Sequence, residues 1–220
     1  MISDLFEDDV RDVRLAPGAT LLGGFARRFE APCVTALRRV VEVAPFRHMV
    51  TPGGHRMSVA MTNCGAAGWV TDRTGYRYDS YDPQTGRRWP AMPDVFADLA
   101  AQAAARAGFR GFAPDACLIN RYEPGASLSL HQDKNERDLS APIVSVSLGL
   151  PAVFLLGGLC RADTPRRVPL AHGDVVVWGG PARLRFHGVL PLEAGHHLLM
   201  GGHRINLTFR RAAQFGRQSE

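Results

Sequence analysis

Residues 127–138 read SLSLHQDKNERD, which sets His131 and Asp133 two places apart in an alternating apolar–polar run. Alternation of this kind predicts a strand, and side chains at i and i+2 of a strand share a face. An imidazole and a carboxylate on one face are two ligands for one metal ion. The segment RFHGVL supplies a third, His187. Two histidines and one carboxylate on one side of an octahedral ion leave positions open, as in non-haem Fe(II) oxygenases. Zinc hydrolases use the same donor types, so the triad alone leaves the metal open.

A second segment, RINLTFRR, places Arg204, Asn206, Thr208 and Arg210 on one strand face and Ile205, Leu207 and Phe209 on the other. Two guanidiniums, an amide and a hydroxyl suit a dicarboxylate, because arginine grips a carboxylate as a planar fork. A solvated edge strand is the alternative. In LINRY, Asn120 and Tyr122 again share a face and offer hydrogen bonds to a carboxylate. Together these segments describe Fe(II) on His131, Asp133 and His187, with a keto acid on the iron and its far carboxylate held by arginine. That is the chemistry of a 2-oxoglutarate-dependent oxygenase.

The rest of the chain must position these strands. Apolar spacing predicts a helix from Glu30 to Val43 and another over 94–107, with Asp94 as N-cap and Gly108 as stop. MSVAMTN alternates like a strand, and residues 70–90, rich in Tyr, Arg and turn formers, read as an exposed, structured loop. Beyond Gly111, seven short strand-like runs separated by Gly, Pro, Asp and Asn predict a sandwich or barrel core. The expected fold is α+β, with the N-terminal part covering one end of an all-β core and the acidic residues 1–16 peripheral. The chain has 220 residues, net charge +5 and no apolar run of membrane-spanning length. A modestly basic balance is compatible with a polyanionic partner. The acidic start lacks the pattern of a secretory leader, so a cytoplasmic protein is expected. Four cysteines without a CxxC pair read as reduced thiols.

These segments carry a resemblance to the AlkB family of 2-oxoglutarate- and iron-dependent nucleic-acid dealkylases. The carriers are NRYEPGASLSLHQDKNE, RFHGV and RINLTFR, joined by FRHMVTPGGHRMSVAMTNCG, GYRYDSYDPQTGRRWPAMP and PIVSVSLGLPAVF. The resemblance implies a double-stranded β-helix (jelly-roll) core over 91–214, preceded by an N-terminal extension and nucleotide-recognition lid over 1–90, with 215–220 as a tail, all in one compact domain. It implies Fe(II), 2-oxoglutarate and O2 as cofactor and co-substrates. The substrates would be 1-methyladenine and 3-methylcytosine, mainly in single-stranded DNA, with double-stranded DNA or RNA as further possibilities and formaldehyde as product. A monomer is expected. By position, His131, Asp133 and His187 would hold the iron. Asn120, Tyr122, Arg204, Asn206 and Arg210 would hold 2-oxoglutarate, with Arg204 at the iron end and Arg210 on the far carboxylate. Trp69 would stack on the base opposite His131. Tyr76 and Thr51 would meet the nucleotide backbone, Arg161 would lie near the base, and Met61 and Ser129 would line the pocket. Asn135 stands where the family commonly has an acid. An amide still accepts from an exocyclic amine but lacks the charge that attracts a cationic base, so neutral 1-methylguanine is expected to be relatively better tolerated. The same chemistry on methylated RNA or tRNA is the alternative substrate class. A protein substrate or a non-catalytic binding role fits these segments less well.

Overall fold

The computed structural model describes residues 12–212. Two helices, α1 (Glu30–Val43) and α2 (Asp94–Arg106), lie on one face of a large sheet. Their buried stripes hold Leu37 and Val40 on α1 and Phe96, Leu99, Ala100, Ala103 and Ala104 on α2. The small alanines let α2 approach the sheet closely. Gly108 ends α2 at φ +94, a conformation that favours glycine. Asp94 is not the cap: Pro93 holds that position in an extended conformation, and no side chain caps this end. Asp94 instead sits in the first turn, where a carboxylate suits the helix dipole.

Among the described residues there are fourteen strands: β1 (Asp12–Ala16), β2 (Ala19–Leu22), β3 (Arg47–Val50), β4 (Arg56–Gly65), β5 (Gly68–Asp72), β6 (Gly75–Asp79), β7 (Ala116–Tyr122), β8 (Leu128–His131), β9 (Ile143–Gly149), β10 (Ala152–Leu156), β11 (Arg166–Leu170), β12 (Val175–Trp178), β13 (His187–Val189) and β14 (Arg204–Arg210). The large sheet runs β1-β2-β12-β9-β14-β7-β4-β3 and the small one β11-β10-β13-β8. The eight strands from β7 onward form the double-stranded β-helix. The seven expected runs become eight strands because RVPLAHGDVVVWGG is cut by a turn. Gly173 takes φ +87 there, and the Asp174 carboxylate accepts from the backbone N–H groups of Ala171 and Gly24.

Three further expectations change. Residues 70–90 are not all loop: β5 and β6 make a hairpin in which Trp69 faces Tyr78 across the ladder. Asp12–Ala16 is an outer strand of the large sheet rather than a peripheral tail, and residues 1–11 of that acidic segment lie outside the described residues. β14 is no edge strand. It lies between β7 and β9 with every residue buried, so its charged face is not solvated. Ile205, Leu207 and Phe209 join the helix-facing core, as the alternation requires.

Cys33, Cys64 and Cys117 are free thiols buried in that core, while Cys160 is exposed. Burial pushes the Cys33 thiol up to about 12 and Cys117 well above its ordinary value. No helix among the described residues is long and apolar enough to cross a membrane.

Candidate active site and its family

The inner face of the jelly roll and the β5–β6 hairpin enclose a cavity of about 540 Å³. His131, Asp133 and His187 line it, as do Asn120, Tyr122, Arg204, Asn206 and Arg210. So do Thr51, Met61, Trp69, Tyr76, Ser129, Asn135 and Arg161. Every residue singled out from the sequence therefore meets in one place.

The triad's ligand atoms lie within 4.8 Å of one another. His131 is the last residue of β8, and β13 sets His187 opposite it in the ladder. Asp133 is not on the strand. It enters from the following loop, so strand alternation does not explain its position. Two arginines hold it instead: Arg210 donates to its Oδ2 from Nε at 2.8 Å and from Nη2 at 2.6 Å, and Arg183 Nη1 donates to its backbone carbonyl at 2.7 Å.

Both histidines are set to bind through Nε2. Nδ1 of His131 lies 2.8 Å from the Ser129 carbonyl and Nδ1 of His187 lies 3.1 Å from the Arg185 carbonyl, which places the proton on Nδ1 in each. The two Nε2 atoms stand 3.7 Å from Asp133 oxygens. Ligands at about 2.1 Å from one ion can be no more than about 4.2 Å apart, and both of these histidine–aspartate separations fall inside that limit. Burial and the neighbouring His131 pull His187 down to about 4, so the imidazole is neutral and its lone pair is available at ordinary pH. Burial opposes ionisation of Asp133, but Arg210 and then the two imidazoles outweigh it and hold the carboxyl below its usual range.

Beside the triad, the order of the two β14 arginines is the reverse of that expected. Arg210 is the one at the metal group. Arg204 lies at the other end of the strand with its guanidinium 4.9 Å over the Tyr122 ring and Nη2 on the Ser147 hydroxyl at 2.9 Å. Its Nε and Nη1 find no acceptor among the described residues, although the residue is only 1% exposed. Nor does Asn120 Oδ1 have a partner. A buried cation lacking a counter-ion is costly and calls for an anion. A keto diacid spanning from the triad to Arg204 fits that need.

The hairpin supplies the opposite wall. Buried Asn63 clamps Trp69 by both its backbone groups, donating to its carbonyl and accepting from its N–H, each at 3.0 Å. Gly68 is required beside it, since a Cβ there would meet the Trp89 ring at 2.6 Å. Trp69 and Tyr76 stack with centroids 5.7 Å apart.

Four neighbours add to the expected site. Trp178 reads as core and is buried, yet its ring also packs 4.9 Å from that of His187. Tyr78, Glu136 and Arg183 belong to no metal or carboxylate motif. The E of HQDKNE was the one available signal, an acid three residues past a ligand.

The family model of the 2OG-Fe(II) oxygenase superfamily matches residues 18–210. The alpha-ketoglutarate-dependent dioxygenase AlkB of Salmonella typhimurium is 58% identical over 96% of this chain and 98% of its own. The chain belongs to the AlkB family of 2OG-Fe(II) oxygenases. Among other AlkB-type relatives, the tRNA demethylase abh1 of Schizosaccharomyces pombe is 31% identical over 60% of this chain and 45% of its own. The structure of OsALKBH1 superimposes with a TM-score of 0.79, at 29% identity, over 91% of this chain and all of that one.

Proposed function

We propose that the protein oxidatively demethylates N-alkylated bases, chiefly 1-methyladenine and 3-methylcytosine in single-stranded DNA, as a cytoplasmic monomer. The observation that carries this reading is one cavity with three parts. A metal-binding triad lies at its floor, an unpaired buried arginine at one end, and an aromatic wall at its mouth. His131, Asp133 and His187 would hold Fe(II). Arg204, with Tyr122 and Asn120, would hold the far carboxylate of 2-oxoglutarate, and Asn206 would support that end. When bound, iron, 2-oxoglutarate and O2 supply the oxidation of the N-methyl carbon, which leaves as formaldehyde.

The chain's own residues choose and orient the base. A methyl group inside a duplex cannot reach the cavity floor, so the nucleotide must be unstacked or flipped. Trp69 and the half-exposed His131 ring offer it two faces, and Tyr76 and Thr51 stand at the rim for the backbone. Met61 and Ser129 limit the space around the ring. Asn135 accepts from an exocyclic amine without adding charge, which favours neutral lesions relative to an acid at that position. Arg210 keeps the Asp133 carboxylate ionised and aimed while burial works against its charge.

Mass spectrometry of single-stranded oligonucleotides, each with 1-methyladenine, 3-methylcytosine or 1-methylguanine, tests the reading. The protein with Fe(II), ascorbate and 2-oxoglutarate should remove one methylene mass, and Asp133→Ala should not. Turnover of 2-oxoglutarate with no oligonucleotide altered would overturn the DNA assignment and move the search to methylated RNA.

A further inference from the structure

Behind the metal group lies a closed set of charges in which Asp133 and Arg210 are joined by two groups, Glu136 and Arg183, to which the reaction gives no part. Glu136 is buried, and three groups converge on it. Arg183 Nη2 donates to Oε2 at 3.0 Å, the Tyr78 hydroxyl donates to Oε1 at 2.6 Å, and Arg210 Nε lies 3.4 Å from Oε1. The same two arginines hold Asp133, Arg210 by the carboxylate and Arg183 by the carbonyl. Arg183 is fixed in turn by the Ala141 carbonyl at 3.0 Å. Two carboxylates and two guanidiniums therefore form a compact, formally neutral unit. Tyr78 enters it from outside the barrel. It lies on β6, directly across the ladder from Trp69.

We propose that Glu136 is a positioning residue that couples the base-recognition hairpin to the metal ligand Asp133, so that base and metal strengthen each other's binding. The proposal rests on the reading of the cavity given above. The link runs from Trp69 across the hairpin to Tyr78, then through Glu136 to the two arginines that aim Asp133. A hairpin drawn onto a base keeps the Tyr78 hydroxyl on Glu136, and Glu136 keeps both guanidiniums in the orientation that presents Asp133. Linkage makes the effect reciprocal: whatever factor the base adds to metal affinity, the metal adds to base affinity. Glu136 also divides the positive charge. Without it, two guanidiniums would compete for one carboxylate that the metal needs.

The test titrates Mn(II), read as loss of the free-ion electron paramagnetic resonance signal, into protein held with 2-oxoglutarate. It is done with and without a single-stranded oligonucleotide carrying 1-methyladenine. The wild type should bind Mn(II) about fivefold or more tightly with the oligonucleotide present, the lower end of ordinary coupling. Tyr78→Phe leaves every charge in place and removes the link. It should bring that ratio to about one while Mn(II) affinity without oligonucleotide stays near wild type. Glu136→Gln should lose the coupling and also weaken Mn(II) by about 10- to 100-fold, the usual effect of a group supporting a ligand. A merely structural Tyr78 would lower thermal stability and leave the ratio intact. That result, or a wild type whose two ligands bind independently, overturns the proposal. A wild type that binds no oligonucleotide at all fails the reading of the cavity instead.

Discussion

Arg210 donates two hydrogen bonds to a single oxygen of Asp133, Oδ2, and leaves Oδ1 on the side of His131. Oδ2 also stands 3.7 Å from His187 Nε2, so the arginine fixes how the carboxylate is turned between the two imidazoles. Arg210→Met should strand a buried carboxylate. Breaking such a pair typically destabilises by about 3–5 kcal/mol. Urea unfolding should show that loss, and Mn(II) titration of the folded fraction should show weakened binding. Stability within about 1 kcal/mol of wild type would mean Asp133 has other support.

Arg204 makes the opposite prediction. Its charge is buried without a counter-ion, so Arg204→Met should leave the ligand-free protein as stable as wild type or more so. Affinity for 2-oxoglutarate, by calorimetry with Mn(II) present, should fall by about 30-fold or more, since losing one partner of a buried charge pair costs about 2–5 kcal/mol. If Arg204→Met keeps its affinity, the far carboxylate lies elsewhere.

Trp69→Ala removes one wall of the base site. Stacking on an aromatic is worth about 1–3 kcal/mol per base. The KM for a methylated oligonucleotide should rise by about 5- to 150-fold. The rate at saturation and the affinity for 2-oxoglutarate should hardly move. A fall in kcat with KM unchanged would instead place Trp69 at the reaction rather than at binding.

Asn135→Asp adds a charge where the cationic bases would sit. Activity on 1-methyladenine and 3-methylcytosine relative to 1-methylguanine should rise by about tenfold, equivalent to about 1.4 kcal/mol. An unchanged ratio in competition assays would remove Asn135 from lesion choice.

The loop after β6 depends on an ion pair. Arg47 grips buried Asp82 by both oxygens at 2.6 Å. Burial pushes the carboxyl up, but the arginine and the Gln84 N–H outweigh it and lower its pKa. A depressed folded pKa gives stability that is present above the unfolded value, about 3.9, and is lost as pH falls through the folded value. Asp82→Asn should therefore cost about 1–3 kcal/mol at pH 7. The gap from wild type should narrow only below about pH 4. A gap that is flat down to pH 3 would mean the pair adds no linked stability.

Much of this site could be read before the fold was known, because its chemistry sits on strands whose alternation shows in the text. Arg204, Asn206, Thr208 and Arg210 share a face by period two alone, and burial of the whole strand confirms that face as an interior one. Alternation failed at Asp133, since strand hydrogen bonding ends at His131 and nothing in HQD marks that end. The two arginines were reversed for a related reason: the order of residues along β14 does not say which end of the barrel carries the metal. Tyr78, Glu136 and Arg183 are far apart in the chain, and only the closing of the hairpin over the barrel brings them together. The β5–β6 hairpin was missed because its composition is that of a loop, and its ladder is supported by Asn63 and Trp89 from neighbouring segments.

The thiols of the core gain meaning from the chemistry beside them. Methylating agents react with thiolates as readily as with bases, so a protein that works where bases are being methylated is itself a target. Cys33 and Cys117 are held protonated by burial, and Cys64 lies beside them at 0% exposure. The reactive form of Cys33 and Cys117 is suppressed, and all three sulfurs are out of reach. The fold thereby makes its own interior resistant to the damage outside it, and Cys160 alone among the four is left exposed. Iodoacetamide on the folded protein should add one label, at Cys160, and leave the melting transition where it was.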